Sequence, residues 1–486
     1  MRYILLTKKQ KGGLFLSQQS TKIPADIMKS AWALALGAIA PMLDSTMVNI
    51  AVNQLTQEFK VPLDIVQWSI TGYVLALAIA VPISGWFMDQ FNSKKVFIFA
   101  ATLFGLVSIG LGLSWTIQMF IILRLIQGFS AGIITTLMST MLVKIAGEQY
   151  LGRVMAIVST PMILGPIFGP VLGGFIIHTV SWHWIFFINV IITLVLVPIM
   201  AKVLPSFSPI NQSKRLDIIG VILLSLISVL FIDSVTEASK KASFTNIETV
   251  VTFLSAIGLV VIYLIYNRKK NYATVLPTTL FTQRNYGLSS LGLFLANIAV
   301  LGPMILFPIF FQRVNGFNET EAAMLLMPQG IGMLIARPYI GRLTDQYGAK
   351  IVIIVCVSCS VIGTLPFIFI SQPTPIIFDV VALFIRGLFV GGIMLPLTNS
   401  AYIGLNSKAI SEAGVGINMI ENIGSSFGSA LMASITSAAL TYVHVSNLNI
   451  ATAYHLGFGI SIIILMIIIV PALFLKSMDD GENNAV

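Results

Sequence analysis

The stretch Leu43-Asp44-Ser45-Thr46-Met47-Val48-Asn49-Ile50 sets a carboxylate inside a long apolar run, Ala31 to Val52. An aspartate at the centre of a membrane helix costs roughly 2.5–3.5 kcal/mol to insert. Such a group is a functional candidate: it can take up a proton, hold a cation, or alternate between the two. The plainer alternative is a structural polar residue bonded to Thr46 or Asn49. Arg124 stands in another apolar run, and Gln127 follows it at i+3, on the same helical face. A guanidinium at that depth needs acceptors, and the candidates are Asp44, backbone carbonyls and Gln127. Its expected role is to tune proton binding at Asp44 and stiffen the surrounding helices; the plainer one is a structural donor. Glu421 is the third such group, flanked by Asn418 at i−3 and Asn422 at i+1, with Gly424 and Gly428 beyond. Two readings stay open for it. It faces a cavity as a second site for a proton or cation, or it pairs with a buried arginine such as Arg386.

The elements that must position these groups are membrane helices. The 486 residues are 56% hydrophobic and 10% charged, with a mean hydropathy of +0.92. A water-facing surface for a chain of this size needs more charge than that. The apolar runs are long and continuous, so helices are expected rather than a barrel. Fourteen candidate spans can be drawn. They divide the chain into an N-terminal segment 1–29, a block of six spans over 30–204, a polar linker 205–285 carrying two inserted spans, six more spans over 286–475, and a tail 476–486.

The net charge of +9 is concentrated on one side of these spans. That bias places both termini in the cytoplasm and removes the need for a nucleic-acid partner. Cys356 and Cys359 lie i,i+3 in one span and are expected to pack rather than to bond. His178, His183, His444 and His455 fall near the outer face, and no metal site is expected. Trp182 and Trp184 are expected in an outer interfacial belt.

An internal repeat links the blocks. Gly85-x-x-x-Asp89-Gln90-Phe91-Asn92-Ser93-Lys94 ends one span, and Gly341-x-x-x-Asp345-Gln346-Tyr347-Gly348-Ala349-Lys350 ends another. Asp89 and Asp345 are expected to latch inner loops to neighbouring helix ends. Arg124, in the fourth span of the first block, is echoed by Arg386 in the fourth span of the last. Repeats on this scale are a mark of transporters that bind near the midplane between halves. Gly165, Gly169 and Gly173 recur at i,i+4,i+8, so one face of that helix admits a close neighbour. Pro166 and Pro170 between them remove backbone donors and are expected to bend it.

Five stretches together resemble the major facilitator superfamily, and within it the fourteen-span drug:proton antiporters. They are Asp44-x-Thr46-x-x-Asn49, Gly85-x-x-x-Asp89, Arg124-x-x-Gln127-Gly128, Gly165-Pro166-x-x-Gly169-Pro170-x-x-Gly173-Gly174, and Leu216-Asp217-x-x-Gly220. The resemblance implies an all-α membrane fold of two pseudo-symmetric six-helix bundles, 6 + 2 + 6 spans, in a bacterial plasma membrane. It implies a monomeric antiporter, driven by the proton gradient without a cofactor, that exports amphipathic, cationic compounds. Export of a metabolite such as an amino acid, peptide or siderophore is the alternative. Asn49, Gln127, Asn418 and Asn422 are candidate cavity residues. Two departures stand out. Asn92 and Ser93 replace the usual glycine and basic residue of the loop motif, and Glu421 reverses the sign of a charge that many relatives carry as basic. An intramembrane enzyme is disfavoured, because no histidine lies inside the spans and no HExxH, GxSxG or phosphate loop is present. No ring or loop of channel-filter type is seen either.

Overall fold

The computed structural model describes residues 23–475 apart from positions 208, 210–215, 242 and 447–448. It gives some helical residues, among them Asn49, Pro166, Pro170 and His444, by backbone alone. The expectations for the first 22 residues, most of the linker start and the tail lie outside the described residues. All regular structure among the described residues is helical. The long helices are α1 (Ala25–Gly37), α2 (Ile39–Phe59), α3 (Leu63–Gln90), α4 (Ser93–Gly112), α5 (Ile117–Thr179), α6 (His183–Val203) and α7 (Ile218–Lys240). They continue with α8 (Ile247–Lys269), α9 (Arg284–Leu301), α10 (Pro303–Val314), α11 (Met327–Thr364), α12 (Ile376–Tyr402), α13 (Ser407–Ser446) and α14 (Ala451–Leu473). Among the described residues, twelve stretches are long and apolar enough to cross a membrane.

Helices α1–α6 pack chiefly among themselves, and so do α9–α14. The two groups meet through α5 against α11, α12 and α13, and through α3 against α13. The side chains at those meetings belong to the end of the bundle that carries the two Gly-x-x-x-Asp loops. There, a Cβ on Gly85 would meet Val415 at 3.0 Å, Arg153 pairs with Asp345, and the Lys144 ammonium donates to Ser411 Oγ at 3.4 Å.

Two helices are longer than a span because a single glycine joins two segments. In α5 the joint is Gly147 (φ 59°, ψ 176°), and in α11 it is Gly348 (φ 78°, ψ 157°). Both lie in the left-handed half of backbone space, where a Cβ is penalised. Asn92 stands where the first loop lacks such a glycine, and it turns the chain differently. Its φ is −62°, its side chain accepts from the Lys94 N–H at 3.0 Å, and its Nδ2 donates to Ser206 Oγ at 2.8 Å. The first loop therefore uses an N-cap where the second uses a positive φ.

The first helix of each group is also broken, which the sequence reading did not foresee. Pro41 lacks the N–H that would bond the Gly37 carbonyl, and the helix breaks at Ala38, between α1 and α2. Pro303 does the same to the carbonyl of Ala299, between α9 and α10.

The inserted helices α7 and α8 pack on each other, and α7 touches both α3 and α13. Asp217 ties the pair: its carboxylate accepts from the Gly220 N–H at 3.1 Å and from the Tyr266 hydroxyl. A side chain at Gly220 would collide with that carboxylate, which explains the Leu216-Asp217-x-x-Gly220 spacing. Trp182 departs from the expected belt. It is buried against Phe59, Phe120 and Phe186, whereas Trp184 is exposed. Cys356 and Cys359 are free thiols, and Cys356 is buried.

Candidate functional site

Asp44 is on α2, six residues after the break, and is 0% exposed. Arg124 Nη1 donates to its Oδ2 at 2.5 Å. Arg124 also donates to Gln127 Oε1 at 2.6 Å and, from Nε, to the Ser69 carbonyl at 3.1 Å. The other carboxylate oxygen accepts from Asn189 Nδ2 at 2.7 Å and Gln127 Nε2 at 3.4 Å. Gln127 Nε2 donates onward to Ser108 Oγ at 2.8 Å. The guanidinium lies 4.2 Å from the centre of the Tyr73 ring. Five helices thus converge on one ion pair. Such a pair tolerates burial because hydrogen bonds satisfy both members.

The sequence reading brought Asp44, Arg124 and Gln127 together, and the geometry does the same. It missed Asn189, Ser108 and Tyr73. Only the apolar setting of Asn189, between Phe186 and Thr193, hinted that it faced something polar. Thr46 does not bond Asp44; its hydroxyl donates to the Leu43 carbonyl at 2.9 Å and the Gly165 carbonyl at 3.0 Å.

That last bond joins α2 to the second half of α5. Side chains at Gly165, Gly169 and Gly173 would meet Met42, Thr46 and Met47 in turn. The i,i+4,i+8 stripe therefore lies directly on the segment that carries Asp44. Gly174 points elsewhere, with open space beside it. The backbone stays helical through Pro166 and Pro170, whose side chains lie outside the described residues.

The matching place in α9–α14 is built from other residues. Arg386 is fully buried. It donates to Gln329 Oε1 at 2.7 Å, Thr364 Oγ1 at 3.1 Å and the Ala299 carbonyl at 3.5 Å. That carbonyl is the one Pro303 frees, and Ser461 also donates to it at 2.8 Å. Phe307, five residues into α10, lies 5.0 Å beneath the guanidinium. No carboxylate pairs with Arg386 among the described residues. Gly128 and Gly387 each bring an arginine helix close to a neighbour, because a Cβ on Gly128 would strike the backbone of Tyr73 and one on Gly387 that of Gln329.

Glu421 is half-buried on α13. The arginine suggested for it, Arg386, is engaged elsewhere. The cation whose charge acts on Glu421 is Arg337 of α11, which the sequence reading did not single out. Asn418 donates back to its own helix, to the Gly414 carbonyl at 2.9 Å, and Asn422 is half-buried beside Glu421. Gln127 belongs to the Asp44 cluster and is 0% exposed. The side chain of Asn49 lies outside the described residues.

The loop aspartates face the junction of the two groups. Asp345 accepts from Arg153 Nε at 3.2 Å, across from α11 to α5. Asp89 is buried and acts electrostatically on Lys144, which in turn reaches Ser411 of α13.

The family model described as Major Facilitator Superfamily matches residues 34–429 and 304–485. The chain belongs to that superfamily. Major facilitator proteins with curated names include a "Multidrug resistance protein B homolog" of Mycobacterium tuberculosis, 29% identical over 434 residues, covering 89% of this chain and 79% of the relative. The "Multidrug export protein EmrB" of Haemophilus influenzae is 28% identical over 404 residues, covering 82% and 78%. Two solved major facilitator-like structures share the fold. The human organic anion transporter MFSD10 aligns with a TM-score of 0.61 at 14% identity, covering 91% of this chain and 100% of that one. The proton:xylose symporter XylE aligns at 0.57 and 14%, covering 94% and 98%.

Proposed function

We propose that the chain is a proton-coupled antiporter that exports amphipathic, cationic organic compounds by alternating access, as a monomer with no cofactor beyond the proton gradient. The observation that carries this reading is the buried Asp44–Arg124 pair with Gln127 and Asn189 around it. A carboxyl beside a cation favours its charged form, and one left buried without that cation favours its neutral form. Parting and remaking the pair would thus take up and release a proton, with a cationic substrate competing for the charged form. The multidrug names of the two relatives support drug export. A metabolite exporter using the same chemistry is the alternative reading.

In this reading the spans number fourteen. The count treats Met327–Phe369 as two spans joined at Gly348, and adds the helix that follows Gly147 in α5. The six-span blocks are 30–204 and 286–475, with 205–285 as the linker that carries α7 and α8. Positive charge on the side of the Gly-x-x-x-Asp loops puts both termini, 1–29 and 476–486, in the cytoplasm of a bacterial cell. The Asp345–Arg153 contact then closes the inner end. The test is a reconstituted vesicle with an imposed pH gradient, loaded with a fluorescent monocation. Uphill dye movement that collapses with a protonophore supports the reading. Dye movement indifferent to the gradient refutes proton coupling.

A further inference from the structure

Arg337 lies on α11, eight residues before Asp345 and so about 12 Å of helix above the closed end. It is 6% exposed, and its Nε and Nη1 have no hydrogen-bond partner. Its electrostatic partner, Glu421, sits on α13, a helix that is not a packed neighbour of α11. The two form no ion pair by contact. Their charges act on each other without a direct bond. Other polar atoms gather on the side toward the closed end. The Tyr402 hydroxyl, which senses the charge of Glu421, is buried and unpartnered, as are both side-chain polar atoms of Asn399 and the hydroxyl of Thr140.

Charge tallies the same way. In the N-terminal group Arg124 and Asp44 cancel. In the C-terminal group Arg386 is met by neutral acceptors, and the charge of Glu421 acts on Arg337; Asp379, seven residues from Arg386 toward the far end, is held by Thr374 and Asn315. The unpartnered donors sit on Arg337, at Nε and Nη1. Guanidinium N–H groups are the protein's best match for a planar carboxylate.

We infer that Arg337 and Glu421 form a two-ended subsite for zwitterionic amphipaths, in which Arg337 takes the ligand's carboxylate and Glu421 faces its cationic end. This names a substrate class within the export reading and rests on that reading for its physiological meaning, though not for binding.

The probes are rhodamine B, a zwitterion with a free carboxylate, and its ethyl ester, which keeps the cationic rings and loses the anion. Binding is read by fluorescence anisotropy on the purified full-length protein. Wild-type protein should bind rhodamine B about tenfold or more tighter than the ester, the scale of one charge-assisted contact. Arg337→Gln should remove that preference and leave the ester's Kd within about twofold, and unchanged ester binding also certifies that the variant is folded. Arg337→Lys should keep part of the preference, whereas Glu421→Gln should weaken both dyes. A wild-type preference for the ester, or an Arg337→Gln variant that weakens both dyes equally or neither, overturns the assignment and leaves Arg337 as a counter-charge to Glu421. The ester's gradient-driven efflux from vesicles tests the export reading separately. Efflux without rhodamine B preference sinks only the subsite, preference without efflux sinks only the export reading, and binding of neither dye sinks both.

Discussion

Arg124 and Arg386 occupy matching places in the two helix groups and keep different company. Each is on the fourth span of its block, next to a glycine packed on a neighbouring backbone, and each reaches toward a helix broken by proline. On the segment past that break Arg124 finds Asp44 at 2.5 Å, and Arg386 finds the face of Phe307 at 5.0 Å. Burying a charge with neutral acceptors alone costs several kcal/mol. Ring contact, the freed Ala299 carbonyl and Gln329 offset part of that. The repeat has therefore kept the cation at both matching places and paired it with an acid at only one. In the proposed cycle, the N-terminal site exchanges protons and the C-terminal arginine acts as a fixed charge.

The largest effect should come from neutralising the acid. Asp44→Asn is expected to bring gradient-driven efflux down to the level of empty vesicles, while Arg386→Met retains it. Loss of coupling in both variants would break the contrast. Next in size is stability. Arg124→Met strands a buried carboxylate and should cost about 3–5 kcal/mol. Arg386→Met strands only neutral acceptors and should cost about 1–3 kcal/mol. Unfolding in mixed micelles ranks the two, and an inverted order would break the contrast. Gly128→Ala and Gly387→Ala sharpen the symmetry instead. Each forces a Cβ into backbone and should cost about 1–3 kcal/mol, by similar amounts in the same unfolding measurement. The smallest effect concerns the closed end. The Asp345–Arg153 pair is partly exposed, so Asp345→Asn should shift the balance of open and closed forms by about fivefold at most. Distances between paired spin labels report that balance. The swap Asp345→Arg with Arg153→Asp should restore it.

Much of this was readable before any coordinates. A charge inside an apolar run must find a partner, and Arg124 with Gln127 at i+3 could serve only a group at its own depth; Asp44 was the acid available. The Gly165, Gly169 and Gly173 spacing likewise foretold a tight helix contact, though not that its partner would be the Asp44 segment. Asn189 was not readable, because one amide in an apolar helix has many possible neighbours and only packing selects one. Of the two readings left open for Glu421, the one that paired it with a buried arginine offered Arg386 as the example, and the arginine that acts on it is another. Position within a repeat pointed to Arg386, but Pro303 had released a carbonyl for it to use, leaving Arg337 to face the acid. The breaks at Ala38 and Gly302 hide in the same way, since proline removes a donor without saying whether a membrane helix will bend or part.

The joint at Gly147 makes a lever of α5. Arg124 lies 23 residues before it, about 35 Å of helix, and Arg153 lies six residues past it. A tilt of about 5° over that length carries the far end roughly 3 Å. The Arg153–Asp345 bond spans 3.2 Å, so a swing of that size is enough to part it. A small rearrangement around Asp44 and Arg124 is thus geared, through one rigid rod and a one-residue hinge, to the Arg153–Asp345 contact between the two groups.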